Sequence, residues 1–519
     1  MSTHYDCIVV GSGHAGCSAA LAAVEGGCTS VLIVEKAPRD WVGGNGYFTA
    51  GAHRTVHGGL HDLLPIVRNV TPEQASKIDM DPYTVEDFTG DIKRLGQDKP
   101  DAMLVKSMVE SSREAVEWLA RKIGVPFILS FHRQAYEVNG RQKFWGGMAL
   151  STEDGGKGLI KAHTKALEKA GVEIWFESPA VRLRVEKGTI TGLVVQTDGK
   201  ELNLSSSSVV LAAGAHANGS IARSNNKHDK GSPCLTPRVR GTPYNTGDGF
   251  AMAEAVGAKL VGDWTGCHST CWDANAPANA GDRELSNQFT KSGYPLGIMV
   301  NIYGQRFVDE GQDFRNFTYA KFGRQILLQP EGCAFQIWGA DMIPFLRKEE
   351  YGDEIVEKIF AGNMEELADK LLEKGLKDKG CFLKTVNDYN AAIQNHRAEY
   401  PTLGWDPTVK DGLSTQSTTV ALELPKSNWA LPIDQGPFLA VKVACGITFT
   451  FGGLAIDPDT AGVLSKETDA PIKGLFCTGE MVGGLFHNNY PGGSGLTAGA
   501  VFGRKAGGQA AKLAGKSVK

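Results

Sequence analysis

The chain has 519 residues, 42 % hydrophobic and 22 % charged, with 54 Lys and Arg against 58 Asp and Glu for a formal net charge of −4. That usage excludes a disordered, collagenous or coiled-coil chain, predicts about two to four domains and, with its basic residues dispersed, gives no reason to expect a nucleic-acid partner. The longest apolar runs, such as residues 7–10 and 209–213, fall far short of the ~20 residues a membrane span needs. The polar first residues run straight into a strand and leave no room for a secretory leader. The ten cysteines show no zinc-ribbon or Cys-x-x-Cys spacing, so reduced, packing thiols in a cytoplasmic chain are expected.

Residues 5–10 read as a buried parallel strand. Gly11-Ser-Gly13-His14-Ala15-Gly16 follows, then an alanine-rich helix over 17–25 and a second strand over 30–34, ending at Glu35 and Lys36. Strand, three glycines, helix, strand and an acid about 20 residues on form the dinucleotide-binding fingerprint in its required context. Gly11 permits the tight turn, Gly13 lets the backbone N–H groups approach a pyrophosphate, and Gly16 lets helix and strand pack closely. The helix N-terminus faces the phosphate charge, and Glu35 accepts from ribose hydroxyls.

A glycine-rich loop comes next, with Gly43, Gly44, Asn45 and Gly51. Helical patterns over 102–122 and 158–170 alternate with short strands over 172–175 and 190–196, which predicts a parallel sheet with helices on both faces. A further strand, 209–214, ends in the small residues Ala213 and Gly214. The middle of the chain differs in texture: Trp264, Trp272 and Trp338, an amphipathic stretch over 364–377, a helix over 383–399 and a long loop over 399–418. The expected fold is α/β, a split Rossmann-like domain (1–261 and 436–519) with an inserted α+β cap (262–435).

The order of the first fingerprint, the Ala213-Gly214 strand end and the segment Gly474-Leu-Phe-Cys-Thr-Gly479-Glu480 resembles the FAD-binding side of the large flavoprotein oxidoreductases. In those proteins the second acid meets the ribitol chain. With no second fingerprint for NAD, the resemblance implies FAD, set against the loop of Gly43 to Gly51 and the last helix near Ser494 and Leu496. Residues 240–249, 305–319, 445–453 and 488–497 are similar to the fumarate reductase and succinate dehydrogenase flavoproteins, and within them to the soluble tricarballylate dehydrogenases. The likeness spans almost the whole chain. It implies oxidation of a small polycarboxylate, with hydride passing to flavin N5 and a proton leaving the carbon alpha to a carboxylate.

The resemblance also places residues. His268 stands where a fumarate reductase histidine holds a substrate oxygen; the alternative is a histidine satisfied within the fold. Arg315 matches the proton-transfer arginine, one residue later than usual, although an arginine is a reluctant base and a clamp or plain salt bridge stays open. Arg306 reads as structural. The second substrate histidine is absent, leaving the hydroxyls of Thr448 and Thr450, and Tyr490 replaces the clamp arginine. The family's Glu-x-x-Arg relay is missing, with residues 290–293 in its place. A Tyr-Pro-Gly setting like that of Tyr490 occurs in the ketosteroid Δ1-dehydrogenases, where the phenol polarises a ketone; packing against flavin is the alternative. Arg240, Arg238, Lys143 and His487 are open as carboxylate ligands. No flavin-linking histidine is seen near Asn45, so FAD is expected to be noncovalent. The partners expected are a small anionic substrate and an electron acceptor such as a quinone, an iron–sulfur protein or oxygen. Rival readings are an ene-reductase of an activated alkene, a cyclic-ketone desaturase and an electron-relay subunit.

Overall fold

The computed structural model describes residues 4–131, 135–144, 146–215 and 237–516. It divides into two units: the described parts of Met1–Leu235, Gly241–His268 and Thr448–Lys519, and those of Thr236–Arg240 and Ser269–Ile447.

The first unit is built on a six-stranded sheet of β1 (Cys7–Val10), β2 (Val31–Val34), β3 (Glu173–Trp175), β4 (Val209–Leu211), β5 (Gly462–Leu464) and β6 (Pro471–Cys477). The order is β3-β2-β1-β4-β6-β5, parallel except for the last pair. Strands β1, β2 and β4 are buried along their whole length, as continuous β-branched and apolar runs in a covered parallel sheet should be. Four helices of this unit carry or support the site: α1 (His14–Glu25), α2 (Ala102–Trp118), α3 (Gly155–Ala170) and α4 (Ser494–Leu513). Helix α4 lies on α1 with backbones in near contact. A Cβ at Gly503 would sit 2.8 Å from the Ala15 carbonyl oxygen, and one at Gly507 only 2.2 Å from that of Ala19.

The expected strand at 190–196 forms, as Thr189–Thr197, but outside the parallel sheet. It is the middle of an antiparallel meander, Ala180–Glu186, Thr189–Thr197 and Lys200–Ser206, edged by His4–Tyr5. The reason is local. Lys187-Gly188 and Asp198-Gly199 all take positive φ (52°, 75°, 49° and 72°), the signature of two-residue hairpin turns, and a hairpin can only join antiparallel neighbours.

In the second unit Phe438–Thr450 pairs with Arg238–Val239, Cys333–Trp338, Cys267–Asp273 and Ile359–Ala361, and Cys333–Trp338 pairs in turn with Ile298–Asn301. The helices Met364–Glu373 and Lys379–Glu399 cover this sheet, burying Leu367, Leu371, Phe382, Val386, Tyr389 and Ile393 against Ile298, Val300 and Phe335.

Eight cysteines among the described residues are free thiols, as expected. Cys267 corrects that expectation: it is disulfide-bonded, a pairing that depends on spatial neighbours and leaves no trace in the spacing. Among the described residues no helix is long and apolar enough to cross a membrane.

Candidate functional site

In the first unit, the end of β1 turns sharply through Gly11 (φ 106°), where a Cβ would lie 2.4 Å from the Ala212 carbonyl oxygen, and Gly16 sits against Gly11 so tightly that a Cβ would come within 2.1 Å of its oxygen. Gly13 differs. A Cβ there would meet nothing nearer than the Gly43 carbonyl at 3.7 Å, and one on Gly44 nothing nearer than Gly13 Cα at 3.6 Å. The helix N-terminus, bearing the N–H groups of His14, Ala15 and Gly16, therefore opens onto a cradle with room for a phosphate group. Glu35, buried, accepts from Ser12 N (2.8 Å), Ser12 Oγ (2.7 Å) and Ala37 N (2.9 Å), which orients its carboxylate at the rim. Lys36 instead pairs with Asp248 and donates to Thr246.

The strand end at Ala213 and Gly214 faces the other acid. Gly214 (φ 75°) passes so close to Asn245 that a Cβ would sit 2.3 Å from its Oδ1. Asn245 Nδ2 donates to Glu480 (2.9 Å), as do Asn45 Nδ2 (3.2 Å) and Thr450 N (3.0 Å). Burial pushes the Glu480 carboxyl up to about 7 against the pull of these three donors and of the Ala215 N–H. Asn45 also donates to the Thr448 carbonyl and accepts from Thr242 N (3.0 Å). Gly479 packs against Ala15, and Gly51 accepts from the His53 ring (3.0 Å). Two atoms of the Glu480 cluster, Asn245 Oδ1 and Thr450 Oγ1, are buried without a hydrogen-bond partner among the described residues. Buried polar groups are normally satisfied. An open glycine cradle at one end and unsatisfied polar atoms at the other fit a dinucleotide whose second half is a polar, ring-bearing group, as FAD is.

Next to Thr450, five rings pack together. His268, nearly buried, stacks on Phe449 (5.4 Å between centroids, 24°) and lies 5.5 Å from Tyr490. Tyr490, also nearly buried, meets Phe449 and Phe486 at 5.2 Å and Phe451 at 6.0 Å. The predicted pair His268 and Tyr490 is thus brought together. His487 lies instead 3.7 Å from Asp263, which accepts from Asn488 N (2.8 Å). The turn after Tyr490 is held from below by Arg54, a fully buried residue not singled out in the sequence. Its Nε donates to the Gly492 carbonyl (2.8 Å) and its Nη1 to Tyr83 Oη (2.9 Å), while its backbone N–H donates to the Gly493 carbonyl (3.2 Å). Tyr83 in turn donates to Asp91 (2.7 Å). Ser494 Oγ donates to the Pro491 carbonyl within the same turn (2.5 Å).

In the second unit Arg315 opens the helix Arg315–Leu327, and its Nη1 donates to Ser292 Oγ (3.0 Å). Ser292 Oγ donates to Glu350 (2.5 Å), which Arg347 also contacts (2.6 Å). Glu310 is engaged by Arg306 and by Met299 N (2.7 Å), and Asp313 pairs with Lys410 (3.0 Å). Arg306, bonded also to the carbonyls of Leu424 and Pro425, sits as a buried structural ion pair. Arg240, buried, lies over the Trp272 ring (5.4 Å) and donates to Asn287 (3.0 Å). Arg238 donates to the Ala276 carbonyl (2.8 Å). Lys143 is exposed on the strand Arg141–Phe144 of the first unit. No motif signalled Ser292, the partner of Arg315, or Glu350 behind it.

Comparison with known proteins identifies the family. The family model "FAD binding domain" matches residues 6–60 and 70–496. The chain is 29 % identical over 518 residues to the NADH:fumarate oxidoreductase of Klebsiella pneumoniae (strain 342), covering 98 % of this chain and 48 % of that one. It is 29 % identical over 387 residues to the 4-oxocyclohex-2-ene-1-carboxylate 5-dehydrogenase of Sinomonas cyclohexanicum, covering 69 % and 60 %. It therefore spans about half to three fifths of the length of these two curated relatives. Among solved structures, the open conformation of a flavocytochrome c3 fumarate reductase superposes with a TM-score of 0.69 at 27 % identity, over 99 % of this chain and 79 % of that one.

Proposed function

From the premise that the chain belongs to the FAD-binding family of the fumarate reductase and succinate dehydrogenase flavoproteins, and is an FAD-dependent oxidoreductase, we propose that it desaturates a small polycarboxylate of the tricarballylate type. FAD, when bound, supplies the two-electron acceptor. The observation that carries the reading is the contact of His268 with Tyr490 beside the Glu480 cluster. An imidazole and a phenol side by side offer hydrogen bonds to a carboxylate or carbonyl whose oxygen gains charge as the neighbouring C–H is lost. Tyr490, Thr448 and Thr450 hold that oxygen end. Arg315 exchanges the proton, a role carried over from the resemblance, and its bond to Ser292, which in turn donates to Glu350 beside Arg347, fixes the guanidinium in place. Arg240 serves a remote carboxylate. The cofactor is held without a covalent link, by the amides of Gly13 to Gly16, Glu35, Asn45 and Glu480. The electrons leave to a quinone, an iron–sulfur protein or oxygen; the eight free thiols favour a cytoplasmic setting, and the disulfide at Cys267 argues against it.

A second reading rests on the five-ring wall of His268, Phe449, Phe451, Phe486 and Tyr490. So much aromatic surface suits a cyclic keto acid or ketone better than an open-chain polyanion. Anaerobic bleaching of the oxidised-flavin band near ~450 nm separates the two. Tricarballylate, succinate, 4-oxocyclohexanecarboxylate and a 3-ketosteroid are added in turn to the purified yellow protein. Bleaching by tricarballylate supports the first reading, and bleaching by the cyclic ketones alone replaces it with the second. Bleaching by none, with reoxidation of chemically reduced protein by activated alkenes, refutes both in favour of a reductase.

A further inference from the structure

Behind the pyrophosphate cradle, three histidines from separate elements meet in the interior of the first unit. His14 opens α1, His163 lies in α3, and His53 lies on the short strand Ala52–His53. All three are buried. His14 Nδ1 is 2.9 Å from His163 Nε2, His14 Nε2 is 2.9 Å from the Leu496 carbonyl in the first turn of α4, and His53 Nδ1 is 3.0 Å from the Gly51 carbonyl. The His14 ring lies 5.0 Å from that of His163 and 5.9 Å from that of His53.

The protons follow from the partners. A carbonyl only accepts, so His14 carries its hydrogen on Nε2 and His53 carries its own on Nδ1. Burial holds all three rings neutral, with His14 pushed down to about 4 and His53 to about 3. A neutral His14 with hydrogen on Nε2 has a bare Nδ1, so the 2.9 Å bond requires His163 to donate from Nε2. The assignment leaves His163 Nδ1 and His53 Nε2 as buried lone pairs without a partner among the described residues. An unsatisfied buried acceptor costs stability. The fold tolerates one in order to keep a donor at position 163, where an apolar side chain would pack without that cost.

That donor sets the tautomer and the ring plane of His14, and His14 joins two helix N-termini. On one side are the α1 amides that face the pyrophosphate; on the other is Leu496, in the first turn of the helix that follows the Tyr490 turn. We propose that His163 is a positioning residue for FAD, acting through His14 to hold the N-termini of α1 and α4 in a single register on the cofactor. The reach of the side chain at 163 is then what matters, since a Gln amide extends about as far as Nε2 and an Asn amide stops short.

The test is FAD affinity, read by quenching of flavin fluorescence as FAD is titrated into the stripped full-length protein, for His163→Gln and His163→Asn. Gln should bind within about threefold of wild type, and Asn should lose tenfold or more. Equal affinity in the two variants, whether near wild type or equally weak, overturns the proposal in favour of plain space filling. If the Asn variant does not fold, Gln alone decides: near-wild-type affinity supports the donor role, and a tenfold loss refutes it.

Discussion

Glu480 offers a stability signature that can be worked out in advance. Its carboxyl is pushed from an ordinary 4.5 up to about 7, chiefly by burial, although Thr450 N, Asn245 and Asn45 all donate to it. The folded chain therefore holds this proton more tightly than the unfolded chain. The resulting stabilisation is fully present below about pH 4.5 and is lost as pH rises through 7. A displacement of two and a half units, at 1.36 kcal/mol each, comes to about 3 kcal/mol. Glu480→Gln removes the titration while keeping the size of the side chain. Urea unfolding of flavin-free protein should show the wild type losing about 2.5 kcal/mol of this relative to the variant between pH 5 and pH 8. Comparing the two proteins at each pH cancels every other titrating group, the buried histidines included. Parallel stability curves for the two would refute the claim that Glu480 is buried beyond what its four donors offset.

Gly16→Ala would drive a methyl to 2.1 Å from the Gly11 carbonyl; overpacking of about 1–3 kcal/mol at this turn should weaken FAD binding roughly ten- to a hundredfold, measured by fluorescence titration. Tyr490→Phe keeps the ring contacts with Phe449 and Phe486 and removes only the hydroxyl. It should lower turnover of whichever compound bleaches the flavin by roughly a hundred- to a thousandfold, with the flavin spectrum unchanged; undiminished turnover would reduce Tyr490 to packing. Arg315→Ala should abolish turnover and retain FAD, and steady-state rates equal to wild type would end its assigned role. Acid precipitation should release the yellow chromophore into the supernatant, and a pellet that stays yellow would refute noncovalent binding.

Local chain physics makes much of this molecule readable. The fingerprint from Gly11 to Glu35 works because a tight turn, an exposed helix N-terminus and an acid at the next strand end are all short-range requirements, and they appear in order. The Ala213-Gly214 and Gly479-Glu480 segments are legible only through their likeness to the signature segments of the flavoprotein oxidoreductases. The hairpins at Lys187-Gly188 and Asp198-Gly199 are equally local, yet the alternation of strands with helices points the strand between them to the wrong sheet; turn chemistry is the stronger signal there. What stays hidden is nonlocal. Arg54 meets Gly492 across 438 positions, His163 meets His14 across 149, and Arg315 reaches Glu350 through Ser292, which lies 58 residues before that acid. None of these contacts is set by a spaced motif, and each forms only through packing.

The anchoring of the Tyr490 turn bears on how such a site changes over evolutionary time. Arg54 grips the turn through the carbonyls of Gly492 and Gly493, and Tyr83 and Asp91 brace it from behind. Main-chain grips do not depend on the identity of the side chain at 490. The loop can therefore keep its shape whichever residue stands at that position. The loop's shape is thereby separable from the side chain it presents, whereas that side chain stays tied to the rings packed around it, so an exchange at 490 must be matched at Phe449, Phe451 or Phe486.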